Sequence, residues 1–394
     1  MKILFLTSRL PFPPDRGDRL RAFNIMRNLS LAGHEIHLAS LVSNKRETEI
    51  ADSLRPFCNT LSLVEMSPFA SWLSCAVGLP GKIPLQAVYY KSAKMAGAVS
   101  ALLESQRFDL IYVHLFRMAQ YVPAGRAEYT LLDLTDVISR EIEMSLAYRG
   151  GLNKLIYSIE LPRVRRFEAS VARSFKECWV VSEMEARALR ELCPSANVRV
   201  VPNGVDIEKL KPAEPRPGNI VSFVGHLGVP HNVDAVLHFY NVIFPYVLKE
   251  CPECRFQVIG PSAHRSLLFL KRDKRVLMPG FVEDLSAVLS SSSVFVAPLR
   301  YCAGLQNKVL EAMAAGVPVV ATPCVNEGLG AKADDEILLA SDARDFAEKV
   351  TLVLKNTSLG SRISANARRF VEQRFSWQHA TMRIAALGAE TGNV

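Results

Sequence analysis

Apolar residues in this chain follow two habits. They come in short unbroken runs rich in Val, Ile and Leu, or they recur every three or four positions. Unbroken runs suit parallel strands covered on both faces, and the wider spacing suits helices packed on a sheet. Strands are therefore predicted over residues 2–8, 34–42, 60–66, 108–114, 130–137, 177–182 and 198–202, with a helix over 17–32 stopped by Gly33. The stretch Lys211-Pro-Ala-Glu-Pro-Arg-Pro-Gly218 reads as a linker. A second set of strands follows at 220–226, 255–260, 276–280, 294–298, 317–322 and 336–340. Such alternation predicts doubly wound parallel sheets with right-handed crossovers. The chain then divides into an α/β domain over 1–210 and another over 211–375, each Rossmann-like, facing across a cleft. Residues 376–394 carry a helical pattern with Ser376 as N-cap.

The chain has 394 residues, enough for two cores. Its 49% apolar and 22% charged residues describe a soluble globular protein. No apolar run reaches the roughly 18–20 residues of a membrane span. The start breaks at Arg9 and reads as a first strand, not a signal peptide. Eight cysteines in apolar or element-ending contexts suggest no disulfide framework, so a reducing cytosol is expected. Cys251-Pro-Glu-Cys254 has metal-like spacing but no accompanying pair, and reads as a turn. The net charge of +8 favours anionic partners: nucleotide diphosphates, lipid phosphates or an acidic membrane surface. With no recognition motif and no aromatic–basic interleaving, no nucleic-acid partner is expected.

Residues 308–323 read as a helix, a stop and a buried strand. Gly316 suits a helix C-cap and Pro318 prevents continuation. Lys308 and Glu311 are unusual charges on an otherwise apolar helix. They are either a surface pair or a response to an anionic ligand at the helix start.

Other constellations stand at predicted strand ends. Residues 11–21 place Gly17 after the first strand, where backbone can approach a ligand, with Arg16, Arg19 and Arg21 able to add charge. His114 ends a strand that begins at Asp109, and its imidazole could bond a sugar hydroxyl or be satisfied by backbone. In Thr130-Leu-Leu-Asp-Leu-Thr-Asp136, Asp133 is expected to meet a basic group. Asp136 either recognises an acceptor or caps the following helix. Residues 149–176 are basic and partly apolar, fitting a solvated face or an anionic membrane, with Pro162 expected to interrupt the helix. Pro202-Asn-Gly is a turn. Residues 222–232 form a loop in which Gly225 and Gly228 permit close approach to phosphate, beside His226 and His231. Asn326-Glu-Gly-Leu-Gly330 reads as a flexible turn or a further hydroxyl-binding loop.

The wording Leu310-Glu-Ala-Met-Ala-Ala-Gly-Val-Pro-Val-Val-Ala-Thr322 resembles the nucleotide-sugar-binding segment of glycosyltransferase family 4. The resemblance covers nearly the whole chain and is strongest over 220–322. It implies the GT-B fold and retaining, metal-independent front-face transfer from a nucleotide-diphospho-sugar to a hydroxyl acceptor, with no cofactor. It implies a donor site made by Gly17, Gly225, His226, His231, Gly304, Leu305, Gln306 and Glu311. His114 and Lys308 become the catalytic residues, and Arg16 and Asp136 lie on the acceptor side. Glu311 inherits the ribose-binding role of the family's second glutamate, and Lys308 would neutralise the β-phosphate. The chain also departs from the family. Gly17-Asp18 replaces a common Gly-Gly, His226 and His231 replace an Arg and Lys pair, and Ala303 stands where the first glutamate falls. Amides over 303–306 would substitute for that glutamate.

In the family the Pro-Asn-Gly-Val-Asp stretch marks the end of the first domain, and a Trp-containing tail returns to that domain. Lys three residues before the glutamate also occurs in exopolysaccharide-associated proteins. This implies bacterial cell-surface glycan assembly with a glycan or lipid-linked acceptor. Such a chain is cytoplasmic, with peripheral contact to the inner membrane face left open. A sugar-nucleotide epimerase of like fold, or an inactive nucleotide-sugar-binding scaffold, are the alternatives.

Overall fold

The computed structural model describes residues 1–123, 129–212, 219–378 and positions 382, 384 and 386. Most of the predicted linker, and most of the predicted tail helix, lie outside the described residues. The chain forms two units, Met1–Pro202 with Trp377–Val394, and Asn203–Ser376.

The first unit carries β1 (Lys2–Thr7), β2 (Glu35–Val42), β3 (Thr60–Glu65), β4 (Leu110–His114), β5 (Tyr129–Thr135), β6 (Glu177–Val180) and β7 (Val198–Val200). All pair in parallel, in the order β3-β2-β1-β4-β5-β6-β7. Phe5 of β1 sits level with Leu38 and Tyr112. Successive strand residues point to opposite faces. Leu4, Leu6, Val113, Leu132 and Val180 therefore build one core layer, while Ile3, Phe5, Tyr112, Leu131 and Trp179 build the other. Ile384 joins the second layer.

The helix Gly17–Leu31 buries Ala22, Ile25, Met26 and Leu29 along one stripe. It closes at Gly33 (φ +82°), where the Gly33 and His34 amides donate to Ser30 and Leu29 carbonyls.

The second unit carries β8 (Ile220–Val224), β9 (Arg255–Ile259), β10 (Val276–Gly280), β11 (Val294–Ala297), β12 (Val319–Ala321) and β13 (Leu338–Leu339). They too are parallel, in the order β10-β9-β8-β11-β12-β13. Strand order reverses between β1 and β4 in one sheet and between β8 and β11 in the other. Ligand crevices open outside the carboxyl ends of strands at such points. His114 ends β4, and the loop with Gly225 and His226 follows β8.

Two sequence expectations are corrected, and one silent stretch is filled. The helix Gly151–Ser174 runs through Pro162 without interruption. Pro162 is exposed, whereas Glu160, Val164, Glu168, Val171 and Ala172 are buried. That one-sided burial outweighs one missing backbone bond. Residues 326–330 are not a loop: they belong to the helix Pro323–Leu329 and its left-handed cap, Gly330. The stretch between β3 and β4, on which the pattern was silent, folds as helices Pro68–Gly78, Leu85–Tyr89 and Ala93–Ser105.

Candidate active site

In the second unit, the loops after β8 and β9 meet through contacts that need glycine. A Cβ on Gly260 (φ +144°) would fall 1.8 Å from the Gly225 carbonyl oxygen. A Cβ on Gly225 would press on Asn232 at 3.0 Å. Asn232 is buried, its Nδ2 donating to the His226 carbonyl at 3.1 Å and its Oδ1 accepting from Lys308 Nζ. The Lys308 ammonium also lies 5.3 Å from the Phe223 ring centre. Asn232 thus fixes where Lys308 points, a role its sequence position did not reveal.

Lys308 stands in the first turn of the helix Asn307–Ala314, whose N-cap, Gln306, makes no side-chain capping bond. Gln306 instead donates to the Ala303 carbonyl at 2.9 Å. First-turn amides without a cap are donors suited to an anion. Gly304 (φ +60°) lets the preceding loop turn, and its carbonyl lies so near Gly328 that a Cβ there would come to 2.1 Å. Asn203 Nδ2 donates to Asn307 Oδ1 at 2.9 Å, so the Pro-Asn-Gly turn anchors this helix start. The helix ends as the sequence suggested: Gly316 (φ +73°) and Val317 donate to the Met313 and Ala312 carbonyls at 3.1 and 3.0 Å.

Burial sets the charges. It lowers the Lys308 ammonium to about 8, with Cys302 and Glu311 opposing the fall. Burial raises the Glu311 carboxyl to about 7, against Lys308 and Lys209. One turn apart on one helix face, the two form a poised pair near neutrality. Burial, then the Lys308 charge, pushes His231 down to about 3, so it is neutral here and stands edge-on to Tyr301. His226 Nδ1 accepts from the Gly228 amide at 3.3 Å. His231 therefore does not supply the fixed positive charge of an Arg–Lys pair. Lys308 is the cation at this point.

In the first unit, Asp133 accepts from Arg21 Nε at 2.7 Å and from the Tyr112 hydroxyl, all three buried. The basic group expected beside Asp133 is Arg21, which holds its carboxyl well below the usual range against burial. His114 is buried at the end of β4, its Nδ1 3.6 Å from Asp133 Oδ2. Neither ring nitrogen has a hydrogen-bond partner among the described residues. Leu115 (φ +72°) follows His114 and Thr135 (φ +67°) precedes Asp136. Non-glycine residues in that region cost about 1–3 kcal/mol and collect at functional sites.

Asp136 is half-buried, its carboxyl pushed well up by burial and then by Glu185 and Glu141. It does not cap the next helix. Glu168 accepts from the Ile138 and Ser139 amides at 2.7 and 3.2 Å, and Glu185 from Val137 at 2.6 Å. Arg16 and Gly17 are exposed at the start of the first helix. Arg19 binds Glu47 at 2.5 Å and Arg21 binds Asp133, so those two arginines are committed to the fold and do not form a loose cationic loop.

Among the described residues no group of three or more His, Cys, Asp or Glu is placed to hold a metal ion. All eight cysteines are free, and Cys251 and Cys254 are buried at a turn. No helix of the described residues is long and apolar enough to cross a membrane.

Two family models match the chain: "Glycosyltransferase Family 4" over residues 20–209 and "Glycosyl transferases group 1" over 218–356. An "Uncharacterized 44.6 kDa protein in cps region" of Klebsiella pneumoniae is 22% identical, over 95% of this chain and 96% of that one. The Staphylococcus aureus "Capsular polysaccharide biosynthesis glycosyltransferase CapM" is 32% identical, over 40% of this chain and 43% of its own. Among solved structures, Anabaena HepE in complex with UDP and glucose superposes with a TM-score of 0.72 at 16% identity, covering 99% of this chain and 100% of that one.

Proposed function

We propose, for a chain that belongs to glycosyltransferase family 4, a specific reaction and a specific set of roles. It is a glycosyltransferase of the polysaccharide-biosynthesis kind. In our reading the second unit binds a nucleotide-diphospho-sugar, with UDP-sugars the first class to test because HepE is solved with UDP-glucose. The first unit takes the hydroxyl of a glycan or lipid-linked acceptor at the membrane's cytoplasmic face. One observation carries the reading: a half-buried lysine ammonium, aimed by Asn232, in the uncapped first turn of a helix at the second sheet's switch point.

In the proposed step the acceptor oxygen attacks the anomeric carbon on the face from which the diphosphate departs. The C–O bond to the diphosphate breaks as the new bond forms, and the hydroxyl proton passes to a leaving phosphate oxygen. Configuration is retained. Lys308 and the helix amides stabilise the charge that develops on the diphosphate, where positioned donors act most strongly. Glu311 accepts from the ribose hydroxyls, and the glycines at 225 and 304 let backbone approach the ligand. Leu305 and Gln306 amides serve the sugar side, where Ala303 replaces a carboxylate. Gly17 and Arg16 flank the phosphates and the acceptor. His114 bonds a sugar hydroxyl, and Asp136 meets the acceptor hydroxyl. No step requires a metal.

Neutral His231 and Ala303 favour one second reading, a donor-binding scaffold without turnover. Release of nucleoside diphosphate from a panel of nucleotide sugars, with lipid and glycan acceptors, decides. Acceptor-dependent release supports transfer, acceptor-free conversion of the sugar supports an epimerase, and tight binding without release supports the scaffold.

A further inference from the structure

The helix Pro68–Gly78 is turned inside out. Its buried positions are Ser71 and Cys75, while Phe69, Trp72, Leu73 and Val77, which share one helix face, are 58–80% exposed. The first half of Gly151–Ser174 repeats this: Leu152, Leu155, Ile156 and Ile159 form an outward stripe, with Leu152 71% exposed. A helix on a soluble domain hides such a stripe, and a contiguous exposed one marks an interaction surface. The two helices are tied where their stripes end. Arg163 donates to the Leu79 carbonyl, and Glu160 Oε2 accepts from the Leu85 amide at 2.7 Å. Leu79 and Ile83, both exposed, continue the apolar surface between them.

Charge around this surface has one sign. No Asp or Glu lies between Glu65 and Glu104, or between Glu143 and Glu160, and the same segments carry Lys82, Lys91, Lys94, Arg149 and Lys154. A second copy seated by two-fold symmetry would set these cations against each other with no carboxylate to answer them. An anionic bilayer answers both features, with the acyl boundary taking the apolar stripes and the headgroups the lysines. We propose that the outward faces of these two helices form a membrane-docking surface that seats the first unit on anionic lipid. The proposal extends the reading above, in which the acceptor is drawn from a membrane, and its test needs no turnover.

The full chain is mixed with vesicles of phosphatidylcholine alone or with phosphatidylglycerol, then sedimented. It pellets with the anionic vesicles, and less so as salt is raised. Trp179 and Trp377 are buried, so a blue shift of tryptophan emission on binding comes from Trp72 and disappears in Trp72→Phe. Leu73→Ser with Leu155→Ser lowers the partition about tenfold or more for each apolar side chain removed. Melting temperature and nucleoside-diphosphate release with a soluble acceptor are unchanged in that variant, because both positions are exposed.

Failure of the wild type to pellet with anionic vesicles, or equal pelleting of wild type and variant, overturns the proposal. Wild-type dimers that the double variant abolishes would assign the surface to a second copy and overturn it likewise. Vesicle binding without sugar transfer would leave the surface standing and sink the functional reading. Transfer to a soluble acceptor without vesicle binding would do the reverse.

Discussion

Lys308→Met keeps an unbranched stem over Phe223 and removes the charge. A unit charge about 4 Å from a phosphate oxygen is worth about 4 kcal/mol at an effective dielectric of about 20. Loss of one donor to a developing oxyanion typically costs about 10²–10³ in turnover. Held at about 8, Lys308 is still roughly nine-tenths protonated at pH 7, so nearly all of that effect is at stake. The expected result is a kcat about 10²–10³ lower, with donor KM moving less than about tenfold.

Stability should move differently. Lys308 titrates at about 8 in the folded chain against an ordinary 10.5, so the unfolded chain holds the proton more tightly. The resulting penalty, of order 3 kcal/mol, is present below pH 8 and is relieved as pH climbs from 8 to 10.5. Methionine removes the penalty but leaves Asn232 Oδ1 without its donor, at about 1–3 kcal/mol. The two nearly cancel, so the melting temperature at pH 7 should hold. Wild-type turnover should also fall above about pH 8, a limb that the variant lacks. Nucleoside-diphosphate release across pH, beside thermal melts, reads all three. Turnover within about threefold of wild type, or a melting temperature lower by more than about 5 °C, would refute the reasoning.

Glu311→Ala should weaken nucleotide binding by about 10- to 100-fold through lost ribose bonds. Because the Glu311 acid holds its proton to about 7, wild-type affinity should rise from pH 6 to pH 8 by calorimetry, and the variant's should not. Its raised value also means that wild-type stability grows as pH falls from 7 toward 4.5, relative to Glu311→Gln. Gly260→Ala, driven against the Gly225 carbonyl, should cost more than about 3 kcal/mol in urea unfolding; a loss below about 1 would contradict the packing. Arg21→Met should cost about 3–5 kcal/mol by leaving Asp133 charged and unpaired, and adding Asp133→Asn should recover part of it.

Much of this was legible in the sequence, for physical reasons. Every strand in both sheets was legible, the central ones most plainly, because a parallel strand covered on both faces is a largely apolar run. Gly33 and Gly316 marked helix ends because their left-handed backbone excludes most other residues. The helices over 68–105 did not show, since Pro68–Gly78 buries a serine and a cysteine and exposes its large apolar residues. Local pattern assumes the opposite.

At the site, residue types were readable but partnerships were not. Nothing in sequence spacing says that Asn232 orients Lys308 across 76 positions, or that Arg21 answers Asp133 across 112. The same blindness made Arg19 and Arg21 look free for ligand, and offered Asp136 a capping role that Glu168 and Glu185 fill from two other helices. Tertiary contacts assign those groups, and a linear reading cannot see them.

The account rests on Lys308 meeting the donor's diphosphate. The most direct test is calorimetric titration of wild type and Lys308→Met with uridine and with UDP. The account predicts equal uridine affinity in both proteins and a UDP affinity weakened about tenfold or more in the variant, the signature of a lost charge–phosphate contact. Equal UDP affinity in both proteins would contradict it.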